Sequence, residues 1–178
     1  MKGPQLSIAV LVENNYQELE VWYPIFRLLE AGATVTTIGP EAQRYMSKLG
    51  YPLVADRAIS AADPQSFDAV IVPGGYAPDL MRLCEPMISF VRDMDSRGAI
   101  VASICHGAWL LASAGILKGR RITGAPSIAD DLRNAGGIFE DAAVVRDANI
   151  ISSRKPADIP FFSAAIMSAL SERKHSLL

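Results

Sequence analysis

Apolar and polar positions along the chain fall into two alternating textures. Short β-rich runs, LSIAVLV (6–12), ATVTTIG (33–39), FDAVIVPGG (67–75) and AIVASI (99–104), are separated by longer segments with helical spacing. VIV and AIVASI are apolar throughout, which predicts strands covered on both faces. Gln17 to Ala31 is predicted helical and closed by Gly32, with Leu19, Trp22, Phe26 and Leu29 at helical spacing and expected to face the core. Pro24 has no N–H to donate to the carbonyl of residue 20, so a break or kink is expected near Glu20. Residues 40–60 read as irregular with a small hairpin. Asp79 to Arg97 is helical with Pro86 interrupting it and Cys84 inside it. Further helices are expected at Gly107 to Ala114, Ser127 to Ala135 and Asp158 to Arg173. RRIT (120–123) reads as a short strand, and AVVRDANIIS (143–152) as a hairpin turning at Asp147–Asn149. The polar tail from Ser171 to Leu178 is expected to fray.

Strands alternating with helices predict an α/β fold, a mostly parallel sheet with helices on both faces, here one domain over residues 1–178. Ligands in such sheets bind outside the carboxyl ends of the strands. The segments to search are therefore Glu13 to Glu20, Pro73 to Asp79 and Cys105 to Gly107. Composition narrows the partners. Half the residues are hydrophobic and 20% are charged, as in ordinary globular chains. The net charge is −2 and no basic block occurs, which argues against nucleic acid. No apolar run approaches the roughly 18 residues of a membrane-spanning helix. The 6–12 run is short for a signal peptide and lacks a small-residue cleavage site, so a cytoplasmic protein without membrane contact is expected. Cys84 and Cys105 form no CxxC and are expected to be free thiols.

Cys105 follows AIVASI directly and precedes the helix GAWLLASAG, the arrangement of a nucleophile elbow. The helix N-terminus offers unpaired N–H groups that favour thiolate and could lower the thiol pKa. The competing reading is a buried structural cysteine, the one retained for Cys84. His106 is placed to act as a base if the turn brings its imidazole to the sulfur. Gly74 and Gly75 allow a turn with bare N–H groups, and with the N–H of His106 these form a candidate oxyanion hole. Asp79 is either a plain acid at a helix start or the carboxylate that orients His106. Glu20, near the crevice end of the first helix, is either a solvated acid or a partner of Cys105 titrating upward.

VASICHGAWLLASAGILKGRRIT resembles the nucleophile-elbow segment of the PfpI family, within the PfpI/ThiJ (DJ-one) superfamily. NNYQELEVWYPIFRLLEAGATV, FDAVIVPGGYAPD, IADDLRNAGGIFEDAAVV and SSRKPAD resemble further segments in order, covering about residues 6 to 170. The resemblance implies a flavodoxin-like three-layer sandwich and a homodimer or higher homo-oligomer. It implies Cys105 as nucleophile, His106 beside it, Glu20 hydrogen-bonded to the cysteine, and Gly75 and His106 as backbone donors. Asp79 falls where protease-like members carry a Glu that orients His across a subunit interface. No metal or organic cofactor is implied. Tyr76, Trp109 and Ala125 stand where Arg, Gln and Tyr are frequent in the family, so a less polar pocket is expected. The alternative for these aromatic residues is an oligomer interface. The leading expectation is a cysteine-dependent enzyme acting on a small electrophilic substrate, by glyoxalase- or deglycase-like, hydratase or hydrolase chemistry. An intracellular cysteine peptidase and a non-enzymatic redox sensor or chaperone are the alternatives.

Overall fold

The computed structural model describes residues 5–176, with side chains over 5–173. The elements run β1 (Ser7–Leu11), α1 (Glu18–Glu30), β2 (Thr34–Gly39), β3 (Arg44–Met46), β4 (Pro52–Val54), β5 (Arg57–Ala58), β6 (Ala69–Val72), α2 (Ala77–Met81) and α3 (Glu85–Ser96). They continue β7 (Ile100–Ile104), α4 (Ala108–Ser113), β8 (Arg121–Ile122), α5 (Ala129–Asn134), β9 (Ile138–Phe139), β10 (Val144–Asp147), β11 (Ile150–Ser153) and α6 (Ile159–Ser176). The main sheet has the order β10-β11-β7-β6-β1-β2-β5 and is parallel except at β10. Helices α1 and α6 pack on one face, and α2, α3, α4 and α5 on the other. This is the flavodoxin-like α/β sandwich. Every residue of β6, β7 and β11 is buried: β6 and the largely apolar β7 read as strands covered on both sides, while in β11 the buried Ser152 and Ser153 hydroxyls donate to the Val145 and Ala143 carbonyls.

Chain direction across the sheet reverses between β1 and β6: β1 leads by α1 to β2 on one side, while β6 leads to β7 on the other. The crevice outside the carboxyl ends of β1, β6 and β7 is the topological switch point. A short ladder walls it, with Tyr16 bridging Ser47 on one side and Gly75 on the other.

Four expectations from sequence are corrected. The buried face of α1 is Glu20, Val21, Pro24, Ile25 and Leu28. Leu19, Phe26 and Leu29 are 56%, 60% and 49% exposed, and Trp22 is half-buried. The apolar residues encircle this helix, so periodicity alone did not define its phase. Nor does Pro24 break α1: the helix starts at Glu18, and the single bond Pro24 cannot make falls on a first-turn carbonyl. The run from Asp79 to Arg97 is two helices, with Pro86 in the first turn of α3, where a missing N–H costs nothing, and Cys84 at its N-cap. The segment from Ser171 onward continues α6 to Ser176, tied down by the fork between Arg146 and Glu172 and by Arg173 on Asp68. The remainder of that tail, 177–178, lies outside the described residues.

Candidate active site

β7 delivers Cys105 into the crevice in the left-handed backbone region, φ 60°, which non-glycine residues adopt rarely and with strain. A single 3₁₀ turn, Cys105–Gly107, then leads into α4. A Cβ on Gly107 would run into the carbonyl of Val72, so glycine lets the turn pack on the end of β6. The Ala125 N–H donates to the Cys105 carbonyl over 3.1 Å. Ala125 is therefore a backbone pin on the elbow.

The turn brings His106 back onto its neighbour: Nδ1 lies 3.2 Å from Cys105 Sγ. Its Nε2 lies 3.2 Å from Ser127 Oγ, and its ring meets Trp109 edge-on with centroids 5.0 Å apart. Trp109 is held in turn by its indole N–H on Asp131 Oδ2 at 2.9 Å and by the Arg82 guanidinium over its face. The N–H groups of His106 and Gly75 are directed at the Cys105 sulfur.

Glu20 reaches the same place from the buried face of α1. It is wholly buried, and its Oε2 accepts from Gly74 N–H over 2.7 Å. Its Oε1 has no hydrogen-bond partner among the described residues, and the carboxyl interacts with the Cys105 thiol beside it. Only glycine fits at 74: a Cβ there would lie 2.6 Å from Glu20 Oε2 and 2.7 Å from the Cys105 Cβ. Gly75, at φ 78°, turns the chain so that its N–H faces the sulfur.

The electrostatics follow from burial. Removal from water pushes the Glu20 carboxyl up to about 7 against the favourable Gly74 N–H. Burial, and then the Glu20 charge, push the Cys105 thiol up to about 12, against the two backbone N–H groups. The expected lowering of the thiol by the helix end is thus overturned. Helix α4 has only six residues, and the charge nearest the sulfur is a carboxylate. Burial, and then the Lys48 charge, hold His106 below its ordinary range, so the imidazole is neutral at pH 7.

The structure gathers Cys105, His106, Glu20, Gly75, Trp109 and Ala125 in one crevice. Among the described residues, no hydrogen bond joins Asp79 or Tyr76 to Cys105, His106 or Glu20 of the same chain. Asp79 is exposed in the first turn of α2, and the outer nitrogen of His106 faces Ser127 instead. The Tyr76 side chain is 68% exposed, although its N–H still donates to Asn15 at the crevice wall. Sequence reasoning missed Ser127 and Lys48. Ser127 had one available signal, its position two residues after the flagged Ala125. Lys48 had none, because the ladder through Tyr16 that carries its loop to the crevice is a tertiary feature.

Cys84 and Cys105 are free thiols. Among the described residues no three His, Cys, Asp or Glu side chains are placed to hold a metal ion, and no helix is long and apolar enough to cross a membrane.

The DJ-1/PfpI family model matches residues 6–169. Deglycase PH1704 of Pyrococcus horikoshii is 43% identical over 154 residues, 86% of this chain and 93% of that protein. YraA of Bacillus subtilis, named as a candidate cysteine protease, is 38% identical over 92% of this chain and 98% of its own length. Among solved structures, a two-domain protein from Anabaena variabilis with DJ-1/ThiJ/PfpI-like and ferritin-like domains superposes with a TM-score of 0.92. It is 36% identical, and the match covers 94% of this chain and 48% of that one.

Proposed function

This chain belongs to the DJ-1/PfpI family, and on that premise we propose that it is a cysteine-dependent enzyme whose nucleophile is Cys105 and whose substrate is a small electrophilic carbonyl compound. The observation that carries the reading is the sulfur's surroundings: strained backbone at φ 60°, a neutral imidazole nitrogen at 3.2 Å, two backbone N–H groups aimed inward, and a buried carboxyl titrating near 7. A structural cysteine needs none of these. The P. horikoshii relative is named a deglycase, which supports this reading.

The steps follow for an α-oxoaldehyde. The thiol proton passes to His106 Nδ1 or to Glu20, and sulfur bonds to the aldehyde carbon. The carbonyl oxygen becomes an oxyanion facing the Gly75 and His106 N–H groups and then takes up a proton. In the resulting hemithioacetal, a base removes the proton from the carbon bearing sulfur, and a proton is returned to the neighbouring carbon. The product is a thioester of a 2-hydroxy acid. Water cleaves it, releasing the acid and restoring the thiol. The net reaction is aldehyde plus water to 2-hydroxy acid, with no external oxidant. Glu20, with a pKa close to the working pH, suits both halves of this proton traffic.

Peptidase chemistry, the activity in the name of the B. subtilis relative, uses the same Cys–His pair. It ranks second because Asp79 is one methylene shorter than the His-orienting Glu of protease-like members, which changes its reach. Self-association is part of the proposal: Leu19, Tyr23, Phe26 and Leu29 leave an apolar stripe open along α1. A second copy covering it is the expected partner.

The test is lactate formation from methylglyoxal by the purified protein beside Cys105→Ser. Turnover that disappears in the variant is expected. Full activity in Cys105→Ser removes the covalent mechanism, and absence of turnover with an unreactive Cys105 removes the enzyme reading.

A further inference from the structure

The part of the site with no role so far is the outer nitrogen of His106. We propose that Ser127 is a positioning residue, which holds His106 as the Nε2–H tautomer and so keeps the lone pair of Nδ1 facing the Cys105 thiol. Its catalytic consequence rests on the function proposed above; the tautomer itself does not.

The argument is one of donors and acceptors. A neutral imidazole carries one N–H and one lone pair. Both nitrogens of His106 have a partner at 3.2 Å: Cys105 Sγ at Nδ1 and Ser127 Oγ at Nε2. The thiol is protonated at neutral pH because burial and the Glu20 charge oppose its ionisation. The thiol has one hydrogen, for which the Glu20 carboxyl also competes, and its sulfur is a weak acceptor, whereas the Ser127 hydroxyl oxygen at Nε2 is a strong one, so the lone pair is left at Nδ1, facing the sulfur. The single N–H then sits on Nε2 and donates to the Ser127 hydroxyl oxygen. The second partner of a catalytic imidazole sets its tautomer in this way whether it is a carboxylate or a hydroxyl. A hydroxyl, unlike a carboxylate, adds no charge that would stabilise imidazolium. The arrangement keeps His106 a neutral acceptor for the thiol proton rather than a permanent cation.

Two features hold the hydroxyl in place. Pro126–Ile128 is a 3₁₀ turn whose Ile128 N–H donates to the Ala125 carbonyl over 3.0 Å, and Ala125 is itself bonded to Cys105. The ladder from elbow to Ser127 is therefore short and rigid. Trp109, edge-on to the His106 ring and bonded to Asp131, limits rotation of the imidazole. Asp79, the acid expected in this role across a subunit interface, makes no hydrogen bond to His106 of its own chain.

The experiment is ¹⁵N NMR of the imidazole nitrogens at pH 7.5 or so in the intact protein. The chain has only two histidines, so a His175→Gln variant assigns the His106 signals. The wild type should show protonated Nε2 and unprotonated Nδ1. Ser127→Ala should shift the signals toward a mixture of tautomers and lower kcat/KM about tenfold, the worth of one neutral hydrogen bond. Ser127→Thr should restore both. Because the Ser127 side chain is exposed, the alanine variant should unfold at the wild-type midpoint, separating positioning from a structural role. An unchanged tautomer ratio in Ser127→Ala overturns the proposal. So does a shift produced by Asp79→Asn but not by Ser127→Ala, which would assign the role to an acid from a second copy. If the tautomer responds to Ser127 while the wild type turns over no carbonyl substrate, the proposed function fails and this assignment stands.

Discussion

Glu20 and Cys105 share one buried space, and their protons come off as a pair. The first loss is centred near 7 and the second near 12. Thiolate present at neutral pH is carried by the form in which Glu20 holds the proton. Alkylation of Cys105 in the wild type should therefore rise in two steps, through about 7 and again toward 12. Glu20→Gln leaves one titrating group beside a neutral neighbour, and for any coupled pair that pKa falls between the two macroscopic values. A single alkylation step with an intermediate midpoint is the expected profile. A two-step profile in the variant would show that Glu20 is not the coupled group. Cys105, His106 and Gly75 were legible in sequence because each is local to a strand end. Ser127 was not, since its hydroxyl meets His106 only after β8 and the following turn fold against the elbow.

At the scale of elements, α1 separates what periodicity can and cannot show. Its apolar residues at 19, 22, 26 and 29 form a valid helical stripe, and a second stripe at 21, 24, 25 and 28 is equally valid. Only the sheet decides between them, and it takes the second, which carries Glu20 into the crevice. The main strands had no such ambiguity, being apolar on both faces and buried on both. The choice is measurable by urea unfolding at several protein concentrations. Leu28→Ala, which empties a 2% exposed position, should cost about 2–5 kcal/mol at every concentration. Phe26→Ala, at a 60% exposed position, should change the dilute-limit stability by less than about 0.5 kcal/mol. If the open stripe is covered by a second copy, Phe26→Ala should also remove the concentration dependence. A large loss for Phe26→Ala at high dilution would return that face to the core.

For the whole molecule, the buried carboxyl makes stability depend on pH in a definable direction. Glu20 moves from 4.5 to about 7 on folding, so between those values the folded protein binds a proton that the unfolded chain has released. Stability from this group is complete below pH 4.5 and is lost as pH rises through about 7. At about 1.4 kcal/mol for each pH unit, the loss is about 3 kcal/mol. His106 acts oppositely: its lowered pKa gives stability that is present above its unfolded value of 6.5 and lost as pH falls through the folded one. The wild-type profile thus mixes two trends, and the difference between Glu20→Gln and wild type isolates the first. Urea unfolding at pH 4.5, 6 and 8 should show that difference moving in favour of the variant by about 3 kcal/mol across the range. A flat difference would mean that Glu20 is already ionised in the folded protein at pH 6, and the crevice would lose its proton carrier. The cost sits in one place. The apolar strands β6 and β7 contribute burial that offsets it, while the carboxyl ends of β1, β6 and β7 hold the unfavourable groups: a buried acid, a thiol denied its charge, and a cysteine at φ 60°. Concentration of unfavourable groups at one crevice is what a reactive site requires and what packing alone would eliminate.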